Sequence, residues 1–351
     1  MFDTIGKLEP LFTSVSPARE RFAAGDLAAG LAAWRSFETE TGIAARVYPG
    51  YRVMEAAELD GYQVMSARQM WGLFNPARKI EASAWAFERF RQLELPGQAG
   101  AWLQELATPF GELALKVELL VVPADPANRR LMLSSFGLSG FAGVPGKILL
   151  QIWPSEGNLE RLPAVLARLL AQQLWWQRPG RRSRPTLADF LVVEGLAASF
   201  VSEKFPDTAL PWLVAFAKPR DWDQVIAQVA REFYRAQSYA DIEADINGRA
   251  LPAGELGVPA AKALSLEELE YARGIIKPSL AETDSRRIAA YLYGDELVVP
   301  QGHSGVGMVQ WGGLEACYRT AQVFTARMGY DIQECLGRPT DEVIFGSDYF
   351  F

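Results

Sequence analysis

The sequence predicts an α+β fold that is mostly helical, with a small sheet and an N-terminal helical region. Apolar residues recur at helical spacing early in the chain, as at Leu31, Trp34 and Phe37. Two short apolar runs, VELLVVP at 117–123 and KILLQIWP at 147–154, have the length and composition of buried strands. Long amphipathic runs return after them, so the sheet is the smaller component.

The change of pattern near residue 116 predicts two regions. Residues 1–115 form an N-terminal helical region, whose last helical run is expected to end at Pro96-Gly97. Residues 116–351 are expected to pack as one globular unit. The glycine-rich segment between the two predicted strands, SSFGLSGFAGVPG, contains neither GxGxxG nor a phosphate-loop lysine motif. We interpret it as a plain turn.

The overall charge argues against nucleic acid as a partner. The chain has 35 Lys and Arg against 42 Asp and Glu, a net charge of −7, which disfavours a phosphate backbone as the main ligand. No stretch approaches the roughly 18 apolar residues that a membrane span needs. The start, MFDTIGKLEP, has no basic segment followed by an apolar run. We therefore expect a cytoplasmic protein with neither a nucleic-acid nor a membrane partner.

The residues that most often carry chemistry are scarce. Cys317 and Cys335 lack CxxC spacing and are expected to be buried thiols. His303 is the one histidine, and the GHSGVG segment that contains it is not GxSxG, because Val306 stands where glycine is needed. Ser304 is adjacent to His303, which is the wrong geometry for a nucleophile and its base. A thiol nucleophile formed by Cys317 and His303 is a weaker alternative, since Cys317 lies in an apolar helical pattern.

The stretch LPAVLARLLAQQLWWQRPG, residues 162–180, is an apolar helix that carries two glutamines and two tryptophans. On a helical wheel Gln173 falls among the leucines, so its amide is predicted to point inward. Gln172 and Trp176 are four residues apart and share a neighbouring face. The helix is predicted to end at RPG, residues 178–180.

A second helix is predicted to open at Thr186, with Asp189 closing a capping box, and to carry Glu194 in the middle of its apolar stripe. A carboxylate in that position must be paired, hydrogen-bonded or protonated. Gly195 beside it lowers helix propensity by roughly 1 kcal/mol relative to alanine. Another element is therefore expected to pack closely at Gly195.

Two interpretations of these polar residues remain open. Gln172, Gln173 and Glu194 either satisfy one another or nearby backbone as a structural network, or they line a cavity suited to chemistry. The arginines of RPGRRSRP, between the two helices, are expected to form a solvated loop rather than an anion site.

Several segments together resemble the bacterial predicted zinc-dependent proteases of the HExxH type, a gluzincin-like domain. In that family a glycine-rich strand leads into the HExxH helix, and the next helix carries EGLA. Here GLSGFAGVPGKILLQIWP precedes LARLLAQQLWW, and VVEGLAASF follows. WGGLEACYRTAQVF, MGYDIQECLGRPTDEVI and SDYFF are similar to the family's C-terminal part. The resemblance covers residues 115–210 and 285–351 and implies a zincin-like core, with the small sheet packed on the active-site helix pair.

The resemblance places the family's metal ligands on residues of a different kind. Its first histidine falls on Gln172, its glutamate on Gln173, its second histidine on Trp176 and its third ligand on Glu194. An amide oxygen is a poor zinc ligand, an indole offers no usable lone pair, and glutamine cannot act as a general base. The resemblance therefore implies a degenerate motif without metal, cofactor or zinc-dependent peptide hydrolysis.

The function we expect is that of a catalytically silent homologue, a pseudo-metalloprotease that keeps the cleft as a binding or regulatory site for a peptide or a small molecule. The expected pocket residues are Gln172, Gln173, Trp176, Glu194 and His303, and none is confidently catalytic. The alternative is a metal-independent enzyme acting on a small molecule, with Glu194 as acid or base and Trp175 or Trp176 as a stacking wall.

Two further possibilities remain. Glu194 with Glu203 or Asp189 could hold a metal, although the three do not share one helical face. An extended peptide could pair with KILLQIWP if that strand lies at an edge of the sheet, whereas an interior strand is the simpler expectation.

Overall fold

The computed structural model describes residues 86, 89–110, 117–124, 137–180, 182, 184–206, 264–299 and 303–351. The helices predicted before residue 86 and the boundary predicted between residues 115 and 116 lie outside these ranges, so both stay predictions. Within the described ranges the fold is α+β and mostly helical with a small sheet, which confirms the predicted class.

The chain divides into two compact units that alternate along the sequence. The first comprises Met1–Glu105, Lys116–Pro163 and Pro219–Ala260, and the second comprises Leu106–Leu115, Ala164–Lys218 and Ala261–Phe351. The sheet lies in the first unit, and the segments that carry the candidate site lie in the second.

The sheet of the first unit has three strands, β1 (Glu118–Pro123), β2 (Leu138–Val144) and β3 (Lys147–Ile152), in the order β1-β3-β2. β3 pairs in parallel with β1 and antiparallel with β2, so it is the interior strand. Its apolar side chains are buried on both faces, as is usual for a strand in that position. The interior-strand expectation for KILLQIWP is confirmed, and the hypothesis that a peptide pairs with this strand is wrong.

The glycine-rich segment before β3 contains a strand, as the family resemblance implies, and this corrects the interpretation of the segment as a plain turn. Leu138–Val144 forms β2, and a turn at Pro145 and Gly146 joins it to β3. Gly146 has a φ of 78°, a conformation that glycine adopts without strain. Pairing with β3 satisfies the backbone of β2 and outweighs the low strand propensity of its glycines, because tertiary context routinely overrides that propensity.

The described helices begin with α1 (Leu95–Ala107), which is followed by a 3₁₀ turn at Thr108–Phe110. The preceding helical run ends before residue 93, slightly earlier than predicted, and Pro96-Gly97 belongs to the first turn of α1. Proline is well suited to that position because the amides of a first turn have no partner within the helix.

The next helix, α2 (Glu156–Trp176), ends at the predicted place. Gly180 follows with a φ of 74°, which stops the chain from continuing as a helix. α2 carries the QQLWW residues in its last two turns.

The second unit is a group of helices around α3 (Leu187–Lys204). Residues 164–176 of α2 belong to this unit, and its other described helices are α4 (Leu266–Ile276), α5 (Ser285–Tyr293), α6 (Asp295–Val298), α7 (Gly312–Met328), α8 (Ile332–Cys335) and α9 (Thr340–Ser347). α3 contacts α5, α7, α8 and α9, and nearly all its side chains from Leu187 to Val201 are buried. It is therefore the central helix of the unit.

Candidate functional site

The N-terminus of α3 is fixed by the predicted capping box. The Thr186 hydroxyl accepts a hydrogen bond from the Asp189 amide, and the Asp189 carboxylate accepts from the Thr186 amide at 2.8 Å. Asp189 also accepts from the hydroxyl of Thr340 in α9 and lies 3.6 Å from the Arg182 guanidinium. These contacts hold the start of α3, two turns before Glu194, against the rest of the unit.

The middle of α3 packs closely against α7 at Gly195, as predicted. A Cβ atom on Gly195 would lie 2.0 Å from the main-chain oxygen of Cys317 and 3.2 Å from the Cβ of Ala321. A side chain at this position would therefore force the two helices apart. The contact fixes the depth at which the neighbouring Glu194 is buried.

Glu194 is buried, with 8% of its surface exposed, and both carboxylate oxygens have partners. Arg168 donates from Nη2 to Oε2 at 2.5 Å, and Gln172 donates from Nε2 to Oε1 at 2.9 Å. The prediction that this carboxylate is paired and hydrogen-bonded is confirmed, as is the predicted contact with a glutamine amide. The ion pair compensates a charge that would otherwise be expensive to bury.

The same face of α2 places Trp176 one turn beyond Gln172. Its ring lies 5.3 Å from that of Phe190 in α3 and 4.8 Å from that of Trp175, both with edge-to-face geometry. Gln172 faces Glu194 while Trp176 faces Phe190, so the two helices run antiparallel. Only 3% of Trp176 is exposed, so its indole fills the space at this end of the helix pair.

Gln173 points inward as predicted and has no exposed surface. Its Oε1 accepts a hydrogen bond from Nε2 of Gln177 at 2.9 Å. The expected polar network therefore has two parts. Gln172 donates a hydrogen bond to Glu194, and Gln177 donates one to Gln173.

Two described arginines of the RPGRRSRP segment, Arg178 and Arg182, have protein partners. The Arg178 guanidinium stacks on the Trp175 ring at 3.5 Å and donates to the Trp175 carbonyl at 3.1 Å. Arg182 donates to Asp341 at 2.9 Å and is 43% exposed. These contacts support the expectation of a surface loop over that of an anion site.

Tyr293 at the end of α5 and Cys317 in α7 are electrostatically coupled to Glu194. Burial is the main cause that raises the pKa of each group, and the negative charge of Glu194 raises it further while Arg168 opposes the rise. Both side chains are therefore neutral at physiological pH. Glu194 therefore has a cation and an amide as hydrogen-bond partners, and two neutral weak acids feel its charge.

Residues 303–307, the described part of the GHSGVG segment, form a loop held by Asp295 at the start of α6. The Asp295 carboxylate accepts hydrogen bonds from the amides of Val306 and Gly307, both at 2.8 Å. Ser304 is exposed, and the His303 amide donates to the Val298 carbonyl at 3.2 Å. These hydrogen bonds are typical of a structural loop. That His303 is a pocket residue stays a prediction.

Two residues beside Glu194 were not predicted from the sequence. Arg168 could have been found, because it lies in an apolar run exactly one helical turn before Gln172 and shares its face. Tyr293 lies a hundred residues away on another helix and carries no local signal.

The other carboxylates considered as metal ligands do not join this group. Asp189 is occupied by Thr186, Thr340 and Arg182, and Glu203 is exposed near the end of α3. In the described ranges, no three His, Cys, Asp or Glu side chains form a cluster suited to a metal ion.

No helix in the described ranges has both the length and the apolar character to cross a membrane.

Comparison with known proteins confirms the family resemblance. The model of a family described as predicted Zn-dependent protease (DUF2268) matches residues 99–260, a segment that includes α2 and α3. The chain is also similar to the uncharacterized protein YjfC of Bacillus subtilis (strain 168), with 23% identity over 289 residues that cover 80% of this chain and 79% of the relative. No solved structure gives a significant match.

Proposed function

We propose that the protein is a catalytically silent homologue of the zinc-dependent proteases, which uses the region between α2 and α3 to bind a peptide or a small molecule. The observation that carries the proposal is that both carboxylate oxygens of Glu194 have hydrogen-bond donors within the protein. Both oxygens accept hydrogen bonds, from Arg168 and from Gln172, and the guanidinium that compensates the carboxylate would repel a second cation.

The side chains at the family's ligand positions do not fit a zinc ion. Zinc sites in hydrolases use imidazole nitrogens and a carboxylate and leave one position open for water. Gln172 offers an amide whose NH₂ group is turned towards Glu194, and Trp176 offers a buried indole without a free lone pair. Gln173 cannot remove a proton from water. These positions therefore supply neither the ligands nor the base that zinc-dependent hydrolysis needs.

The contacts around Glu194 also count against the alternative of a metal-independent enzyme. A general acid or base must reach a substrate atom, directly or through one water. Glu194 is engaged at both oxygens, and Trp176 packs against Phe190 where a stacking wall would have to face a ligand. This closure favours a catalytically silent protein over one that uses Glu194 for proton transfer.

The proposed absence of protease activity can be tested by measuring the hydrolysis of a fluorogenic peptide mixture, once with added zinc and once with a chelator. We expect no turnover in either condition and no difference between the natural protein and Glu194→Gln. Turnover that stops with the chelator and in Glu194→Gln would contradict the proposal.

Hydrogen exchange tests the binding role. An uncleaved peptide mixture or a small-molecule fragment library should slow amide exchange in α2 and α3 because a ligand would stabilise both helices. Unchanged exchange in both helices with every probe would contradict the binding part of the proposal.

A further inference from the structure

We infer that Arg168 is a built-in replacement for a metal cation, so that the guanidinium and a metal ion compete for the same carboxylate, Glu194. The inference rests on the proposed loss of the metal and extends it to a residue outside the HExxH positions. It explains how the helix pair keeps a buried carboxylate when the side chains around it cannot hold an ion.

The position of Arg168 allows this role. Arg168, Gln172 and Trp176 follow one another at intervals of four residues, so they lie on one face of α2. From the turn before Gln172 the guanidinium reaches back to Oε2 of Glu194 at 2.5 Å. Arg168 is itself buried, with 7% of its surface exposed, so the pair is removed from solvent at both ends.

The surroundings of Glu194 favour a cation beside its carboxylate. An isolated carboxylate with 8% exposure is costly because little water remains to solvate it. Gln172, Tyr293 and Cys317 are neutral neighbours, and the charge of Glu194 disfavours ionisation of the last two. Arg168 is the cation that forms an ion pair with Glu194.

The charge of Arg168 sets the arginine and a metal ion in competition. Arg168 and Gln172 each take one acceptor position of the Glu194 carboxylate, so a metal ion would have to displace them or share the carboxylate with them. A cation placed beside the guanidinium would meet repulsion in a region with little solvent to screen it. Restoring the histidines and the glutamate while Arg168 remains should therefore give only a weak metal site.

Two reconstructed variants test the competition. One carries Gln172→His, Gln173→Glu and Trp176→His, which restores the HExxH spacing, and the other adds Arg168→Met, which keeps the buried aliphatic stem but removes the charge. Titration with zinc against a chromophoric chelator should show stoichiometric binding by the second variant, with affinity at least about tenfold higher than that of the first, a difference of about 1.4 kcal/mol. Equal affinities, or no binding by the Arg168→Met form, would overturn the inference.

A double-mutant cycle in the natural chain gives a second measurement that needs no metal. Arg168→Met should lower the thermal midpoint because it leaves Glu194 without its cation, and Glu194→Gln should lower it because it leaves the guanidinium without its anion. Combining them should give a midpoint above that of Arg168→Met alone. Losses that simply add would contradict the inference.

The exposed pair Arg182 and Asp341 is the matched control, since their side chains are 43% and 66% exposed. Arg182→Met and Asp341→Asn should show little coupling because solvent screens the pair. Coupling as strong as that between Arg168 and Glu194 would count against a special role for the buried pair. Failure of the proposed function has a different signature, namely zinc bound by the natural chain.

Discussion

Gly195 in α3 lies directly against the main-chain oxygen of Cys317 in α7. The absence of a side chain lets the two helices approach at the level of Glu194. This contact and the Arg168–Glu194 ion pair lie on neighbouring residues of α3, so packing and charge compensation are linked at one point of the molecule.

We expect Gly195→Ala to destabilise the protein by about 1–3 kcal/mol, because the new Cβ would overlap the Cys317 carbonyl. Urea unfolding measures the change. Gly274→Ala in α4 is the control, since a Cβ there meets nothing within 4 Å. That substitution should stabilise the protein by up to about 1 kcal/mol through helix propensity. Equal effects of the two substitutions would contradict the packing argument.

Gln172→Leu should cost about 1.5–3 kcal/mol, because it removes a hydrogen bond to a buried charged oxygen while nearly preserving side-chain volume. The comparison is Gln322→Leu, whose amide donates to the neutral hydroxyl of Ser199 from an exposed position. Its cost should be smaller, about 0.5–1.5 kcal/mol. A Gln172→Leu protein as stable as the natural one in chemical unfolding would show that the contact with Glu194 carries no energy.

Glu315 predicts a pH dependence. Burial raises the pKa of its carboxyl above the ordinary value of 4.5, although the hydrogen bond from Arg319 opposes the rise. A raised folded-state pKa means that the stability contribution is complete below the unfolded-state pKa and is lost as pH rises through the folded-state value. The glutamine of Glu315→Gln does not ionise, so this variant does not lose that stability contribution as the pH rises.

The free energy of unfolding of the natural protein minus that of Glu315→Gln should therefore fall as the pH rises above about 4.5. Denaturant unfolding of both proteins across a pH series measures the difference. A difference that grows with pH would mean that the ion pair with Arg319 outweighs burial.

The two thiols should be unreactive in the folded protein. Both are buried, and burial raises the pKa of Cys335 to about 11 and that of Cys317 well above its ordinary value. Thiolate is the reactive form, so labelling with a thiol reagent near pH 8 should require unfolding. Two thiols per chain should become titratable in denaturant. Rapid labelling of Cys317 under native conditions would revive the hypothesis of a thiol nucleophile.

The sequence predicts the features that depend on local chemistry. The capping box at Thr186, the end of α2 and the inward amide of Gln173 follow from short-range spacing, and all three are confirmed. A close neighbour was predicted for Gly195 because glycine has a low helix propensity and a tight contact would account for its presence inside the helix. The neighbour, Cys317, could not be named from the sequence.

What the sequence did not predict depends on partners that are distant along the chain. β2 was misinterpreted because glycine-rich segments favour turns until a neighbouring strand supplies hydrogen bonds. The apolar run around Arg168 indicates a buried position, but the sequence does not name its ion-pair partner, Glu194, 26 positions later. Tyr293 approaches Glu194 through the packing of separate helices, which periodicity does not reveal.

The metal content of the natural protein tests the central claim most directly. The protein should be purified without chelators, equilibrated with zinc, freed of excess ion and analysed for zinc per chain. Glu194 is already paired with the Arg168 guanidinium and hydrogen-bonded to Gln172, so a zinc ion would have to overcome the repulsion of that cation. The account predicts far less than one zinc per chain, with no change in thermal midpoint when zinc is added. One tightly held zinc per chain, lost on mutation of Glu194 together with peptide hydrolysis, would contradict it.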